Sequence, residues 1–319
     1  MKFYTSVLPY RGRLLVRGVD KDGTQKKYRI NYKPSLFVPV KKETKYKTLD
    51  GRYVEKIKFD SMPEATKWVN EYKHVTNFEY FGNTRHQYPF IAEEFEGKID
   101  WDMNQIKLLS IDIECESENG FPSPEKADQP LICITVKDHT SKKIIVFGMG
   151  NFVNDREDVQ YIDCVTETGL VETFTKFWVE YNPNIITGWN VKFFDIPYLM
   201  NRFRYLMGDD WLNQFSPWGV VEQRSAAVLF ASREQQVWNI MGVDTLDYLD
   251  LYRKFTFVRR ESYKLDYIGE VELGQNKLEN PYDTFKEFYS NDYQRFVEYN
   301  IQDVELVDKL EDKLQLIAL

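Results

Sequence analysis

The sequence has few cysteines and no long hydrophobic run. Its 319 residues include only Cys115, Cys133 and Cys164, and none of these forms a CxxC pair. All three lie in or beside strand-like segments, so we expect buried, reduced thiols rather than metal ligands. A membrane-spanning helix requires about 18 consecutive apolar residues, and no apolar run approaches this length. The first residues turn basic without an apolar core of signal-peptide length, and a cytoplasmic protein is predicted.

The length of 319 residues exceeds the usual size of one domain, about 100–200 residues, so two domains are expected. Hydrophobic residues make up 43% of the chain, which is enough to build packed cores. The acidic segment 92–104 lacks sustained apolar periodicity and is predicted to connect the domains. We therefore predict one domain of residues 1–104 and another of residues 105–319.

The net charge of −8 is unevenly distributed. Residues 1–100 hold 20 Lys and Arg against 13 Asp and Glu, whereas residues 101–319 hold 22 against 37. The basic part contains KKYRINYKPSLFVPVKK, which interleaves cations with Tyr and Phe and suits phosphate contacts and base stacking. An ordinary solvated basic surface explains the same pattern. Contact with nucleic acid, RNA included, is therefore one of two interpretations.

Local patterns predict a small α+β domain followed by a larger α/β domain. Short strand-like segments fill residues 1–60, and residues 62–73 read as a helix with Pro63 in its first turn. Beyond residue 105, the strand-like runs IKLLSIDIE, LICITVKD and KKIIVFG precede a helix, a strand and another helix. This order is typical of a mixed α/β sheet.

Two further elements are predicted near the end of the chain. The segment VLFASREQQVWNIMG is expected to form two strands around a polar tip, Ser232–Gln236, within a hairpin near residues 220–242. The stretch from Asn291 onward has an amphipathic helical pattern. Its last residues, LQLIAL, stay in helical register without a Gly or Pro stop signal, so the helix is expected to continue through them.

Acidic residues in three separate segments carry the strongest functional signal. Asp112 and Glu114 are two apart in LLSIDIE, so in a strand both point to the same face. Tyr299 and Asp303 are four apart in a helical segment and also share a face. Asp195 follows the strand-like NIITGWN at the start of a helix. Active sites in α/β proteins assemble at such strand ends.

Converging carboxylates suit the two-metal hydrolysis of a phosphodiester. In that reaction, cations about 3.5–4 Å apart generate hydroxide and stabilise the leaving oxygen. Oxygen ligands select Mg²⁺ or Mn²⁺, so two such ions are the expected cofactors. Each residue alone has a simpler explanation: Asp195 as a helix N-cap, Asp303 as a solvated helix residue, and Tyr299 as a packing residue. Their occurrence as a set favours the metal site.

The segments LLSIDIE, NVKFFD and YNIQD resemble the three exonuclease motifs of family B DNA polymerases, within the DEDD nuclease superfamily that has tyrosine in its third motif. The resemblance extends over nearly the whole chain and is strongest to polymerases of large tailed phages of the T4 type. The segments that carry it further are NYKPSLF, GFPSPEKADQP, DYLDLYRKF and SYKLDYIGEVEL. It implies a ribonuclease-H-like 3′→5′ proofreading exonuclease domain with a mixed sheet, preceded by a polymerase N-terminal domain. For a phage protein, the location is the host cytoplasm.

The resemblance also implies roles for the site residues. By motif position, Asp112, Glu114 and Asp303 would bind one metal ion, while Asp112 and a water held by Asp195 would serve the second. Tyr299 would orient the attacking water.

Three more positions match residues that contact DNA in this family. Lys277 would support the scissile phosphate, while Phe121 and Asn190 would line the path of the 3′-terminal nucleotides. Alternatively, Lys277 is a surface lysine and Phe121 a core residue. Three acidic residues fall outside the motifs and are expected to cap helices or lie on the surface: Asp244, Asp247 and Asp250.

The palm motifs of a complete polymerase, which resemble SLYPS and DTD, do not occur before Leu319. The resemblance therefore implies a shortened polymerase or the N-terminal piece of a split one, whose partner carries palm, fingers and thumb. Three hypotheses remain: an exonuclease acting on the 3′ end of single-stranded DNA, a nucleic-acid-binding regulatory module, and a subunit that docks onto a polymerase. In relatives, a hairpin placed like that near residues 220–242 helps to separate primer from template.

Overall fold

The computed structural model describes residues 1–118, 120–228, 234–276 and 278–319. The chain divides into two compact units, Met1–Gln105 and Ile106–Leu319. Among the described residues, every helix is too short or too polar to cross a membrane.

The N-terminal unit, all of whose residues are described, contains two three-stranded antiparallel sheets, with strand orders β1-β2-β3 and β4-β6-β5. The α1 helix begins where the Ser61 side chain accepts the Glu64 N–H at 3.3 Å, with Pro63 in the first turn as predicted. The predicted connecting segment 92–104 is partly helical, because α2 extends into it. The elements are β1 (Phe3–Tyr10), β2 (Arg13–Val19), β3 (Gln25–Ile30), β4 (Ser35–Pro39), β5 (Tyr46–Lys47), β6 (Tyr53–Lys58), α1 (Met62–Tyr72) and α2 (Gln87–Glu94).

The C-terminal unit is built on a mixed six-stranded sheet with the strand order β10-β9-β8-β7-β11-β14, which confirms the predicted fold class. Strand β8 pairs antiparallel with β7 and β9. Strand β10 pairs in parallel with β9, and β11 pairs in parallel with β7 and β14. The strands of this unit are β7 (Leu108–Cys115), β8 (Leu131–Asp138), β9 (Ile144–Gly148), β10 (Val159–Asp163), β11 (Ile185–Gly188), β12 (Val221–Ala227), β13 (Glu234–Ile240) and β14 (Asp244–Asp247). Its helices are α3 (Glu167–Tyr181), α4 (Asp195–Met207), α5 (Asp209–Leu212), α6 (Tyr248–Phe255), α7 (Leu265–Leu273), α8 (Phe285–Asn291) and α9 (Tyr293–Leu314).

Helices cover both faces of this sheet. Ile134 and Val136 of β8 pack with α3 and α4, whereas the alternate residue Cys133 packs with α8 and α9. Successive side chains of a strand point to opposite faces, so these two clusters lie on opposite sides of the sheet. The three cysteines are buried and free, as predicted.

The β12–β13 hairpin lies where it was expected, but its strand bounds differ from the prediction. Its strands pair from Val221 with Ile240 to Ala227 with Glu234. The paired residues of the first strand therefore come before the predicted run that begins at Val228, and Glu234–Gln236 belong to β13 rather than to the tip. Residues 229–233, which include Ser232, lie outside the described residues.

The last helix ends earlier than its pattern predicts. Helix α9 runs from Tyr293 to Leu314, and Gln315 then adopts a left-handed conformation with φ 51°. This turn redirects the chain, and Leu316 packs against the buried residue Leu310. The expected helical continuation through LQLIAL is therefore wrong, because packing of the apolar tail ends the helix without a Gly or Pro.

Candidate metal centre

Strand β7 places Asp112 and Glu114 on one face of the central sheet. Ile111 and Ile113 alternate with them and are buried in the cluster on the α3 and α4 side. The two carboxylates consequently point to the opposite face, which α9 covers. The pairing with β8 shifts register just beyond Glu114, so the regular ladder ends beside the carboxylates.

Helix α9 brings Asp303 to this face. Apolar residues of the helix, Phe296, Val297 and Ile301, pack against β8 and β9 and fix its position. Asp303 is 4% exposed, and ligand atoms of Asp112, Glu114 and Asp303 all lie within 4.8 Å of one another. The structure thus brings together three of the four predicted metal-binding residues.

Three carboxylates this close repel one another unless a cation lies between them. The donor set consists of oxygen atoms, which suit a hard divalent cation such as Mg²⁺ or Mn²⁺. The residues present therefore fit a divalent metal ion.

Asp195 is the first residue of α4 and is buried. Phe194 occupies the capping position, and Asp195 Oδ1 instead accepts the backbone N–H of Ile113 in β7 at 3.2 Å. Burial, helped by the nearby charges of Asp247 and Asp303, raises the pKa of Asp195 to about 7 against the opposing effect of backbone hydrogen bonds. The N-cap interpretation of Asp195 is wrong, because its carboxylate turns across to β7, the strand that carries Asp112 and Glu114.

The carboxylates line a cleft of about 640 Å³ together with Tyr299, Phe121 and Asn190. The Phe121 side chain is 86% exposed, and its ring centroid lies 5.4 Å from that of Phe194. The core interpretation of Phe121 is therefore wrong. Its exposed ring offers a stacking surface at the cleft.

Tyr299 packs against two aromatic rings and also lines the cleft. Its ring makes edge contacts with Phe285 and Phe288, at centroid distances of 6.4 and 6.0 Å. The residue also lines the cleft that contains the three carboxylates. Packing thus holds the ring of Tyr299 beside the candidate metal centre.

Asp247 has a structural role that agrees with the predicted capping. Its carboxylate caps α6 and also accepts the backbone N–H groups of Asn190 and Lys192, at 3.1 and 3.0 Å. Burial raises the pKa of Asp247 to about 6. Asn190 has a positive φ of 66°, and this anchored backbone places it at the cleft. Asp250 lies in the first turn of α6 and pairs with Lys192 at 3.7 Å.

Two residues that the structure places at the site were not predicted from local patterns. Asn300 donates a hydrogen bond from Nδ2 to Asp112 Oδ2 at 2.5 Å, although its sequence position indicated only a helical face. Lys264, just before α7, lines the cleft and supplies a cation there. Lys277 lies outside the described residues, so its contact with phosphate stays a prediction.

Comparison with known proteins identifies the family. The model of the family B DNA polymerase exonuclease domain matches residues 66–268, which is more than half of the chain. The DNA-directed DNA polymerase of Escherichia phage RB69 is 30% identical over the whole chain, and that of Enterobacteria phage T4 is 29% identical over 98% of it. The DNA polymerase delta catalytic subunit of Candida albicans is 29% identical over 68% of the chain. The chain spans 38%, 37% and 22% of the lengths of these three relatives. It therefore belongs to the family B DNA polymerases and contains their exonuclease domain.

Proposed function

We propose that the chain removes nucleotides from the 3′ end of single-stranded or frayed DNA by hydrolysis that depends on two divalent metal ions. The observation that carries this proposal is the group of Asp112, Glu114 and Asp303, whose ligand atoms lie within 4.8 Å of one another beside an open cleft. Membership of the family B polymerases supports the same reaction.

In this proposal, Asp112, Glu114 and Asp303 hold one ion, while Asp112 and a water bound by Asp195 serve the second. The ions, Mg²⁺ or Mn²⁺, would supply hydroxide and neutralise charge on the leaving oxygen. The hydroxyl group of Tyr299 orients the attacking water.

The cleft favours an unpaired strand end. The exposed ring of Phe121 can stack on a base only when that base has left its duplex. Asn190 offers an amide for polar contacts at the same cleft, and Lys264 offers a cation for a phosphate. Lys277 is proposed to support the scissile phosphate. These contacts together hold the 3′ end beside the carboxylates.

The test is digestion of a 5′-labelled single strand with and without Mg²⁺. We expect a ladder of products shortened from the 3′ end, release of mononucleotides, and no reaction in excess chelator. A circular single strand of the same composition is the control, because it has no end to digest. Digestion without a divalent ion, or equal cleavage of the circle, would contradict the proposal.

Tyr299→Phe is expected to lower the single-turnover rate about tenfold, the effect of losing one positioning hydrogen bond of about 1.4 kcal/mol. The ring contacts with Phe285 and Phe288 remain, so the free energy of unfolding should fall by no more than about 1.5 kcal/mol, the contribution of one hydrogen bond. Single-turnover kinetics and urea denaturation measure the two quantities. Phe285→Leu is the control for packing, since it alters the surroundings of the ring and leaves the hydroxyl group in place. An unchanged rate in Tyr299→Phe would assign Tyr299 to packing alone.

The N-terminal unit supports a second candidate function, nucleic-acid binding with RNA among the ligands. Lys45 and Lys47 lie over the rings of Tyr46 and Tyr53, at 4.9 and 4.6 Å from their centroids. Both lysines are exposed, so cations and aromatic rings lie side by side on the surface. This arrangement suits phosphate contacts together with base stacking.

Lys45→Glu with Lys47→Glu is expected to weaken binding of single-stranded RNA and to reduce the slope of log affinity against log salt by about two, roughly one per lost phosphate contact. Salt-titrated fluorescence anisotropy on the whole chain measures this slope. Lys33→Glu with Lys67→Glu is the control for charge, because it changes the net charge of the unit equally at other positions. Binding that does not respond to salt, or equal effects in both variants, would contradict a specific contact at Lys45 and Lys47.

The proposed partner is a polymerase domain, in the same polypeptide or in a second chain. The support is the extent of the match, since the chain spans 38% of the length of the phage RB69 polymerase. The hairpin of β12 and β13 is proposed to help separate the primer from its template. Deleting residues 232–236 would then impair digestion of a duplex and spare a single strand.

A further inference from the structure

A buried amide and a buried thiol lie behind Asp112. Asn300 of α9 is fully buried, and its Nδ2 donates to Asp112 Oδ2 at 2.5 Å. Its Oδ1 accepts from the Sγ–H of Cys133, a fully buried residue of β8, at 3.5 Å. One chain of hydrogen bonds thus joins β8, α9 and β7.

Both partners of Asn300 select the same orientation of its amide. An ionised carboxylate only accepts hydrogen bonds, so the nitrogen of the amide must face Asp112. A thiol donates, so the oxygen of the amide must face Cys133. Burial raises the pKa of Cys133 well above its ordinary value, which keeps the thiol protonated.

The position of Asn300 is unusual for an amide. Its neighbours on α9, Val297, Ile301 and Val304, are buried and apolar. A buried amide costs free energy unless its polar atoms are hydrogen-bonded, and an apolar side chain would serve packing better. The polar atoms of Asn300 are instead directed at a predicted metal ligand.

We propose that Asn300 is a positioning residue that orients the Asp112 carboxylate for metal binding, and that Cys133 holds Asn300 in place. The inference rests on the proposed metal centre. Asp112 lies close to two other carboxylates, and repulsion between them disfavours the close approach that a shared metal ion requires. An N–H donor on Oδ2 restrains rotation of the Asp112 carboxylate. Partners of this kind orient metal ligands and commonly change metal affinity.

The same helix couples the orientation of two ligands. Asn300 and Asp303 are three residues apart on α9, so one helical surface carries both a ligand and the group that orients another ligand. The position of α9 therefore sets both Asp303 and Asp112.

The decisive experiment measures Mn²⁺ binding by isothermal titration calorimetry on the whole chain without DNA. Asn300→Leu keeps the approximate volume and removes the donor, and we expect its Kd for Mn²⁺ to rise about 10–100-fold. Its exonuclease rate should recover in part at saturating Mn²⁺, which separates metal affinity from the chemical step. Cys133→Ser retains a donor and should bind Mn²⁺ nearly as the wild type does, whereas Cys133→Ala should bind more weakly.

Val297→Ala is the matched control, because it truncates a buried side chain that has no hydrogen-bonding group, one turn earlier on the same face of α9. It should lower the free energy of unfolding and leave Mn²⁺ affinity unchanged. An unchanged Kd in Asn300→Leu, or an equal rise in Val297→Ala, would overturn the positioning role alone. Absence of Mn²⁺ binding in the wild type would overturn the metal centre as well. If Asn300→Leu does not fold, the difference between Cys133→Ala and Cys133→Ser decides the question.

Discussion

Replacing Asp112 and Glu114 together with alanine is expected to lower the Mg²⁺-dependent release of 3′-terminal nucleotides by about 10³-fold or more. The substitution removes two of the three carboxylates whose ligand atoms lie within 4.8 Å of one another. A bound cation contributes several kcal/mol to stabilisation of the transition state, and each 1.4 kcal/mol corresponds to about tenfold in rate. Quenched-flow digestion of a 5′-labelled single strand measures this loss.

The folded structure should survive this double substitution. Both side chains face the cleft, whereas Ile111 and Ile113 of the same strand remain in the core. Relief of charge repulsion is offset by loss of the hydrogen bond from Asn300 Nδ2 to Asp112, so the free energy of unfolding should change by no more than about 3 kcal/mol. Glu279→Ala is the control, since this residue lines the cleft but lies outside the group of three carboxylates. Activity within a few-fold of wild type in the double variant, or an equal loss in Glu279→Ala, would refute the proposed site.

Asp308→Ala is expected to lower the free energy of unfolding by about 3–5 kcal/mol. Asp308 of α9 is buried and accepts from Lys137, His139 and Lys142, each at 2.9 Å. Lys137 is itself buried and would lose its carboxylate partner, which leaves an uncompensated charge in the interior. Because these bonds tie β8 and its turn to the helix that carries Asp303, they also stabilise the position of α9. Although Asp308, Asp312 and His139 have the spacing of a metal site, both carboxylates are engaged by Lys142.

The contribution of Asp308 to the free energy of unfolding decreases as the pH falls. Burial alone would raise the pKa of Asp308, but hydrogen bonds from His139, Lys137 and Lys142 outweigh burial and lower that pKa to about 2. A lowered pKa in the folded state means that the stabilisation is complete above the unfolded value of about 3.9 and is lost as the pH falls towards 2. The difference between wild type and Asp308→Ala should therefore shrink across this range.

Urea denaturation at pH 7, 4, 3 and 2 measures that difference for Asp308→Ala. Asp312→Ala is the matched control, because Asp312 pairs with the same Lys142 but its side chain is 54% exposed. Exposed pairs contribute about 0–1 kcal/mol, so this variant should differ little from wild type at any pH. Equal losses of unfolding free energy in the two variants would show that the contribution of Asp308 to stability does not depend on its burial.

Local sequence patterns were sufficient to predict features that depend on a single strand or helix. The alternation of a strand predicted the shared face of Asp112 and Glu114, and the helical period predicted that of Tyr299 and Asp303. Both pairs line the cleft. The mixed sheet was also predictable, since its apolar runs are long and their order along the chain is typical of α/β folds. Strand β10 and helix α8 were among the elements missed, because β10 has 5 residues and α8 has 7, too few to establish a period.

Contacts between distant segments decided the rest. The Asp195 carboxylate turns to β7 because it accepts a hydrogen bond from the backbone N–H of Ile113. Local capping preferences do not predict this contact. The end of α9 depends on packing of Leu316, and the bounds of the hairpin strands depend on which residues β13 can pair. In each case, a contact outside the local segment decided the outcome.

The sequence by itself determined the family, the mixed α/β fold and the residues of the three acidic segments, because side-chain periodicity and motif spacing are local properties of the chain. Only the tertiary structure decided that Asp112, Glu114 and Asp303 converge to within 4.8 Å, and that Asn300 lies behind them. Convergence requires α9 to pack on the face of the sheet that carries the β7 carboxylates, and that packing is set by buried apolar residues about 170 positions apart in the chain, such as Ile132 and Ile301.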